Sequence, residues 1–296
     1  MATQRDIKRR IGSVQNTEKI TKAMEMVAAA RLRRAQDRIE ATRPYAERMM
    51  EFIAGMARYV EVDPERFPLL KVHEDTRRVA VVALTADRGL CGAFNANIVR
   101  RARDKVVELR EEGVESQLMV VGKKGVSTLR FQGYDLAATY ADITDKPTFL
   151  DAQGLAHNVA ELYAEEEIDR VHLIFNSFKS AMEQHVVEQV ILPIQEEIVV
   201  DYTPDDAVSN MDFLFEPSAS AILNDLLPGY VETVVYRALL ESTASEHGAR
   251  MTAMRNASES AGEMIDELTL AMNRARQASI TQEILEVVSG ADALAG

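Results

Sequence analysis

The chain has 296 residues, 47% of them apolar, enough to bury a real core in one large or two modest domains. Its 34 Lys and Arg against 47 Asp and Glu leave a net charge of −13, which argues against a nucleic-acid binder held mainly by phosphate neutralisation. The single cysteine, Cys91, excludes an intrachain disulfide framework, and no Cys/His cluster has the spacing of a structural zinc site.

The first ten residues lack the apolar run of a signal peptide, and no stretch of about 18 uncharged apolar residues follows. The chain is therefore expected neither to be secreted by that route nor to span a membrane. Charge is zoned: residues 1–58 hold 13 basic and 7 acidic side chains, residues 59–237 hold 17 and 31, and residues 238–296 hold 4 and 9. All 9 Phe and 8 Tyr lie between Tyr45 and Tyr236, so both ends are poor in large rings.

Residues 1–58 read as one long helix, because no glycine separates Gly12 from Gly55 and strong helix formers dominate. Pro44 is expected to bend it rather than end it. Alternate steps of four and three from Ile7 to Met56 meet 15 positions, 11 of them apolar, which is a coiled-coil seam. Glu18 and Glu25 break that stripe, and Ile20, Met24 and Val27 predict a drift in register that carries it one residue over.

The middle, 76–204, alternates β-rich runs with helical ones: strands at Val79–Leu84, Leu118–Val121 and Val171–Phe175, helices at Ala93–Glu112 and Leu155–Glu166. That alternation predicts a Rossmann-like α/β domain with a mostly parallel sheet. Thr85–Asn95 follows a strand and precedes a helix, the context of a phosphate-binding turn, yet Gly89 and Gly92 do not make G-x-G-x-x-G. It reads as a glycine turn beside a packed Cys91. Gly122-Lys-Lys-Gly125 lacks the Walker spacing and reads as a surface turn. His73, His157, His172, His185 and His247 form no i, i+4 pair and no H-E-x-x-H, so neither a metal nor a histidine base is expected.

Residues 205–220 read as a linker and Pro228–Gly229 as a further break. The stretch 218–290 forms the second long helix, with 9 of 12 seam positions from Leu240 to Ser279 apolar. At 1.5 Å per residue the two end helices would run about 80 and 90 Å, too long to be hidden in this chain. Small seam residues such as Ala28, Ala35, Ala244 and Ala261 predict that they pair as a long antiparallel coiled coil, with the α/β domain at one end. Lys8, Arg9, Arg10, Lys19, Lys22, Arg31, Arg33 and Arg34 give the first helix a basic face suited to an acidic partner.

Three stretches carry a resemblance. Ile11-Gly-Ser-Val-Gln-Asn-Thr-Glu-Lys-Ile-Thr-Lys-Ala-Met-Glu-Met-Val-Ala-Ala-Ala30 and Asn273-Arg-Ala-Arg-Gln-Ala-Ser-Ile-Thr-Gln-Glu-Ile-Leu-Glu-Val-Val-Ser-Gly-Ala291 closely resemble the terminal helices of gamma subunits of bacterial-type F-type ATP synthases. The second includes the family pattern I-T-x-E-x-x-E-x-x-x-G-A-x-A, and Asp87-Arg-Gly-Leu-Cys-Gly92 matches the central-domain signature.

The resemblance implies a rotor shaft rather than an enzyme: no catalytic residue, cofactor or metal of its own. One copy would sit in a ring of three alpha and three beta subunits, with its α/β foot on the epsilon subunit and the membrane c-ring. Ion flow would turn the shaft and change the nucleotide affinities of the beta sites. It further implies that Arg276 and Gln277 meet the beta catch loop. Lys19, Met24, Arg31, Arg33 and Arg34 would face acidic beta loops, Asp87, Arg88, Gly89, Cys91 and Gly92 would shape the foot, and Phe213 or Phe215 would lie near the c-ring. Membrane attachment is expected only through partners, on the cytoplasmic face, since the chain starts at Met1 with no transit peptide ahead of the first helix. A lone Cys91 excludes the dithiol switch of the chloroplast branch. The rival readings are a nucleotide-binding enzyme with a helical arm and a coiled-coil adaptor or clamp for acidic partners.

Overall fold

A computed structural model of the chain describes residues 4–57, 60, 66–73, 75–180, 183–194, 216 and 218–295. It contains two compact units, one built from Met1–Ala28 with Met251–Gly296 and the other from Ala29–Arg250. Helices α1 (Gln4–Ala57) and α5 (Ala219–Ala295) contribute to both.

In the helical unit, residues 4–28 and 251–275 pair as an antiparallel coiled coil. Thr21 meets Ser258, and one turn further along α1 Glu25 meets Arg255. Ile7, Ala28, Met254 and Ala261 are buried along this seam, and so are the polar Thr21, Glu25 and Ser258. The expected drift in register does not occur. Ile20 and Val27 are 61% and 54% exposed, while Glu25 stays in the seam at 7% because Lys22 and Arg255 satisfy its carboxylate.

The larger unit holds a five-stranded sheet of order β3-β2-β1-β4-β5. Its strands are β1 (Arg78–Leu84), β2 (Glu115–Val121), β3 (Ala138–Tyr140), β4 (Arg170–Phe178) and β5 (Gln184–Leu192). The first four are parallel, and β5 returns antiparallel to β4. Central β1 is buried on both faces, so it reads as a continuous apolar run. Its Val79, Val81 and Ala83 pack under α2 (Phe94–Glu111) and α3 (Lys123–Phe131). Ala80, Val82 and Leu84 face α4 (Phe149–Ala164) and the adjoining parts of the long helices, including Ile53, Met56, Leu227, Val231 and Leu239.

Several expectations move. Gly122-Lys-Lys-Gly125 opens α3 instead of forming a surface turn. A Cβ on Gly122, whose φ is +95°, would lie 2.4 Å from the Thr85 carbonyl oxygen, and one on Gly125 would lie 2.4 Å from Thr85 Oγ1. The glycines serve close packing there. Helix α4 begins earlier than Leu155, because Thr148 and Asp151 form a reciprocal capping box. Pro228–Gly229 does not break α5, since burial of Leu223, Leu227 and Val231 offsets the backbone hydrogen bond that proline removes. Helix α1 continues through Pro44, as expected.

Candidate functional site

In an open α/β sheet, ligands bind beyond the carboxyl ends of the parallel strands, so the turn after β1 is the first place to examine. Thr85 donates its hydroxyl to the Val121 carbonyl at 2.6 Å and accepts the Gly125 N–H at 3.0 Å, tying β1 to α3. The Asp87 carboxylate accepts from the backbone N–H groups of Lys123, Asp142 and Thr144 and from the Thr144 hydroxyl, at 3.0–3.1 Å and 2.8 Å respectively. Burial opposes its charge, yet these four donors outweigh burial and hold the carboxyl below the usual range. Asn95 accepts the Ala86 N–H and donates to the buried Cys91 sulfur. Burial raises the Cys91 pKa, and nearby Glu246 adds to the effect.

Helix α5 closes this edge. Arg250 donates to the Gly89 carbonyl at 3.1 Å and to Glu246 Oε1 at 2.6 Å, while Ser242 and Thr243 donate to the carbonyls of Leu84 and Thr144. The space left among Leu84, Thr85, Thr144, Ser242 and Glu246 is about 10 Å³, far too small for a nucleotide. Buried His247 lies beside Arg250 and has its pKa lowered to about 4, by burial first and then by the positive charges of Arg250 and Arg31. Asp87, Gly89 and Cys91 therefore form a joint, not a pocket. Arg88 is exposed, its carbonyl accepting from the Asn95 amide and the Cys91 thiol, and Gly92 takes a positive φ of 56° in the turn. Sequence reasoning missed Asn95, Thr144, Glu246 and Arg250. The i, i+4 spacing of Glu246 and Arg250 on a predicted helix was the available signal.

The residues assigned to partner contacts are spread along the long helices. Lys19 is exposed and Met24 half-buried in the helical unit. In the larger unit Arg31 is ion-paired with Asp145, whereas Arg33 and Arg34 are exposed and make no ion pair among the described residues. Arg276 and Gln277 are exposed on α5. Phe213 and Phe215 lie outside the described residues. No group of three or more His, Cys, Asp or Glu able to hold a metal occurs among the described residues, and no described helix is long and apolar enough to cross a membrane.

The sequence pattern did not single out the end of α5 as a bare apolar surface. Counting seventeen residues back from Thr21 and seventeen on from Ser258 places Gln4, the first residue of α1, level with Ala275. Beyond that point α5 runs on without a described partner, and every residue from 276 to 291 is exposed. Ile280, Ile284, Leu285, Val287 and Val288 are 48–73% exposed.

A family model described as ATP synthase matches residues 3–294. The ATP synthase gamma chain of Moorella thermoacetica is 47% identical over 294 residues, covering 99% of this chain and all of that protein. The ATP synthase gamma chain of Rubrobacter xylanophilus is 45% identical over 296 residues, all of this chain and 99% of that one. Among solved structures, a chain of the central stalk and c-ring of Tetrahymena thermophila mitochondrial ATP synthase is 30% identical, with a TM-score of 0.60 over 81% of this chain and 99% of that chain. A chain of the Euglena gracilis mitochondrial ATP synthase rotor shares the fold at 20% identity and a TM-score of 0.63, covering 94% of this chain and 98% of that one.

Proposed function

The chain belongs to the ATP synthase gamma-chain family, and from that premise we propose that it is the central rotor shaft of an F-type ATP synthase, coupling ion flow through a membrane c-ring to ATP synthesis or hydrolysis at beta-subunit sites. The observation that carries this reading is the bare apolar end of α5. Five large aliphatic side chains exposed on one helix end are costly in water and call for a surrounding sleeve.

In this reading residues 76–204 are the foot, on epsilon and the c-ring, and 1–58 with 218–290 are the shaft inside three alpha and three beta subunits. Torque requires two helices locked to one another. Their outer faces must pass three similar surfaces without one deep energy well. The ring-poor, Met- and Ala-rich helix ends suit that bearing, since large rings seated in pockets act as anchors. As the shaft turns, its off-axis faces favour a different conformation of each beta subunit in succession, and the differential contact shifts nucleotide affinity. Arg276 and Gln277 meet the beta catch loop, and Lys19, Met24, Arg31, Arg33 and Arg34 face acidic beta loops.

The chain itself performs no chemistry in this scheme, the reaction belonging to the beta-subunit sites. It is held peripherally at the cytoplasmic side of a bacterial membrane by its partners. The test is to tag the chain, extract native membranes in mild detergent and weigh the assembly by native mass spectrometry. One copy with three alpha and three beta chains is expected. A monomer or homodimer from an extraction that keeps other membrane complexes intact would overturn the rotor reading.

A further inference from the structure

The seam of the helical unit is apolar along most of its length but carries two adjacent polar rungs. Thr21 and Ser258, 237 residues apart in sequence, bring their hydroxyl oxygens to 2.7 Å, and each residue is 9% exposed. One turn along α1, Glu25 Oε1 accepts from Arg255 Nε at 3.2 Å, and its other oxygen accepts from Lys22 Nζ at 2.9 Å. Thr21, Glu25 and Ser258 occupy positions that an unbroken coiled-coil seam would give to aliphatic side chains, and the exposed Arg255 and Lys22 reach the buried carboxylate from the edge of the seam.

Their neighbours explain why that matters. Ala28, Met254 and Ala261 are compact or flexible, and such residues pack nearly as well one turn out of step as in step. An apolar seam of this composition resists separation but defines axial position poorly. A turn of slip, about 5.4 Å, would set Thr21 against apolar side chains such as Met254 or Ala261 and take the Glu25 carboxylate away from Arg255. The polar rungs are satisfied in one register only, the role best attested for isolated polar groups in coiled-coil cores.

We propose that Thr21, Ser258, Glu25 and Arg255 are positioning residues that fix the axial register of α1 against α5, so that the shaft turns as one body. Its consequence for coupling rests on the rotor reading; the register itself does not. A slipping pair of helices would absorb part of each step instead of delivering it to a catalytic site.

The register is read by disulfide trapping in the full-length chain. By the stagger above, Val14→Cys with Ile265→Cys is in step, whereas Val14→Cys with Leu268→Cys is about one turn out. With the native rungs the in-step pair should close at least about tenfold faster, equivalent to a bias of 1.4 kcal/mol. In Thr21→Val/Ser258→Ala/Glu25→Leu/Arg255→Gln, that ratio should fall to within about threefold while the melting temperature holds or rises, since apolar replacements of buried polar groups are often stabilising and a neutral amide suits the exposed position of Arg255. The swapped rung, Thr21→Ser/Ser258→Thr, should keep the native ratio. An unchanged ratio in the apolar variant, or a lost ratio in the swapped one, would overturn the proposal. If the four-residue variant does not fold, Thr21→Val/Ser258→Ala alone should lower the ratio several-fold, and an unchanged ratio there counts equally against it. In the assembled complex, ion pumping per ATP hydrolysed should fall several-fold in the apolar variant and be normal in the swapped one. Failure of the rotor reading would remove this last readout and leave the trapping result standing.

Discussion

At the scale of single residues, the joint at the end of β1 works through close approach and burial. Gly122→Ala places a methyl group 2.4 Å from the Thr85 carbonyl and forces a positive φ on an L residue. A loss of roughly 3 kcal/mol in stability is expected from the clash and strain together. Chemical denaturation of the full chain measures it, and an unchanged midpoint would contradict the packing described. His247 gives a pH signature. Its folded pKa of about 4 lies below the ordinary value of 6.5, so between these limits the unfolded chain binds more protons. Stability from this group is complete above pH 6.5 and declines as pH falls towards 4, by about 3 kcal/mol in all. Glu246, raised by burial in spite of Arg250, titrates in the opposite sense, so the comparison is a difference. His247→Gln should cost less at pH 5 than at pH 7, and equal costs at both would sink the assignment.

At the scale of elements, the end of α5 separates folding from assembly. Residues 278–291 are exposed throughout, so deleting 278–296 should leave the melting temperature of the isolated chain unchanged while weakening its assembly with alpha and beta chains. A large drop in melting temperature would show that the segment packs within the chain. Arg276→Ala with Gln277→Leu should lower ATP synthesis per assembled complex more than it lowers assembly, as a direct readout of the catch assignment. The long helices were legible because helix propensity and a seven-residue apolar stripe agree over many turns, and β1, β2 and β4 because buried parallel strands are apolar runs. Strand β5 was not: its sequence Gln184–Leu192 mixes polar and apolar residues, as suits a half-buried strand that pairs only with β4 among the described residues. Three-residue β3 is too short to show a pattern, and α3 was hidden by glycines that tertiary packing requires. At the seam, apolar periodicity favoured Ile20 and Val27 over Glu25, because one-dimensional counting cannot see that Arg255 and Lys22 supply the carboxylate with partners. Of the site, the signature turn could be read, whereas the closure of the sheet edge by Ser242, Glu246 and Arg250 needed the third dimension.

At the scale of the whole molecule, charge is distributed against the average. A chain of net −13 carries 13 basic against 7 acidic residues in its first 58, so its first helix is repelled least, and attracted most, by acidic partners. Long-range attraction of this kind acts mainly on association rate and fades with salt, because charges beyond about 8–10 Å are screened at physiological ionic strength. Arg33 and Arg34 are the residues to test, since both are exposed and neither makes an ion pair among the described residues. Arg31 is a poor choice: its partner Asp145 holds it, and removing it would disturb the joint as well. For Arg33→Ala/Arg34→Ala, the melting temperature of the isolated chain should stay unchanged, the rate of assembly with an alpha–beta ring should fall several-fold at low salt, and the two chains should converge at high salt. Stopped-flow light scattering at two salt concentrations measures this. A parallel decrease at both would place the effect in direct contacts, and an equal rate at both would remove the basic face from the recognition of acidic beta loops.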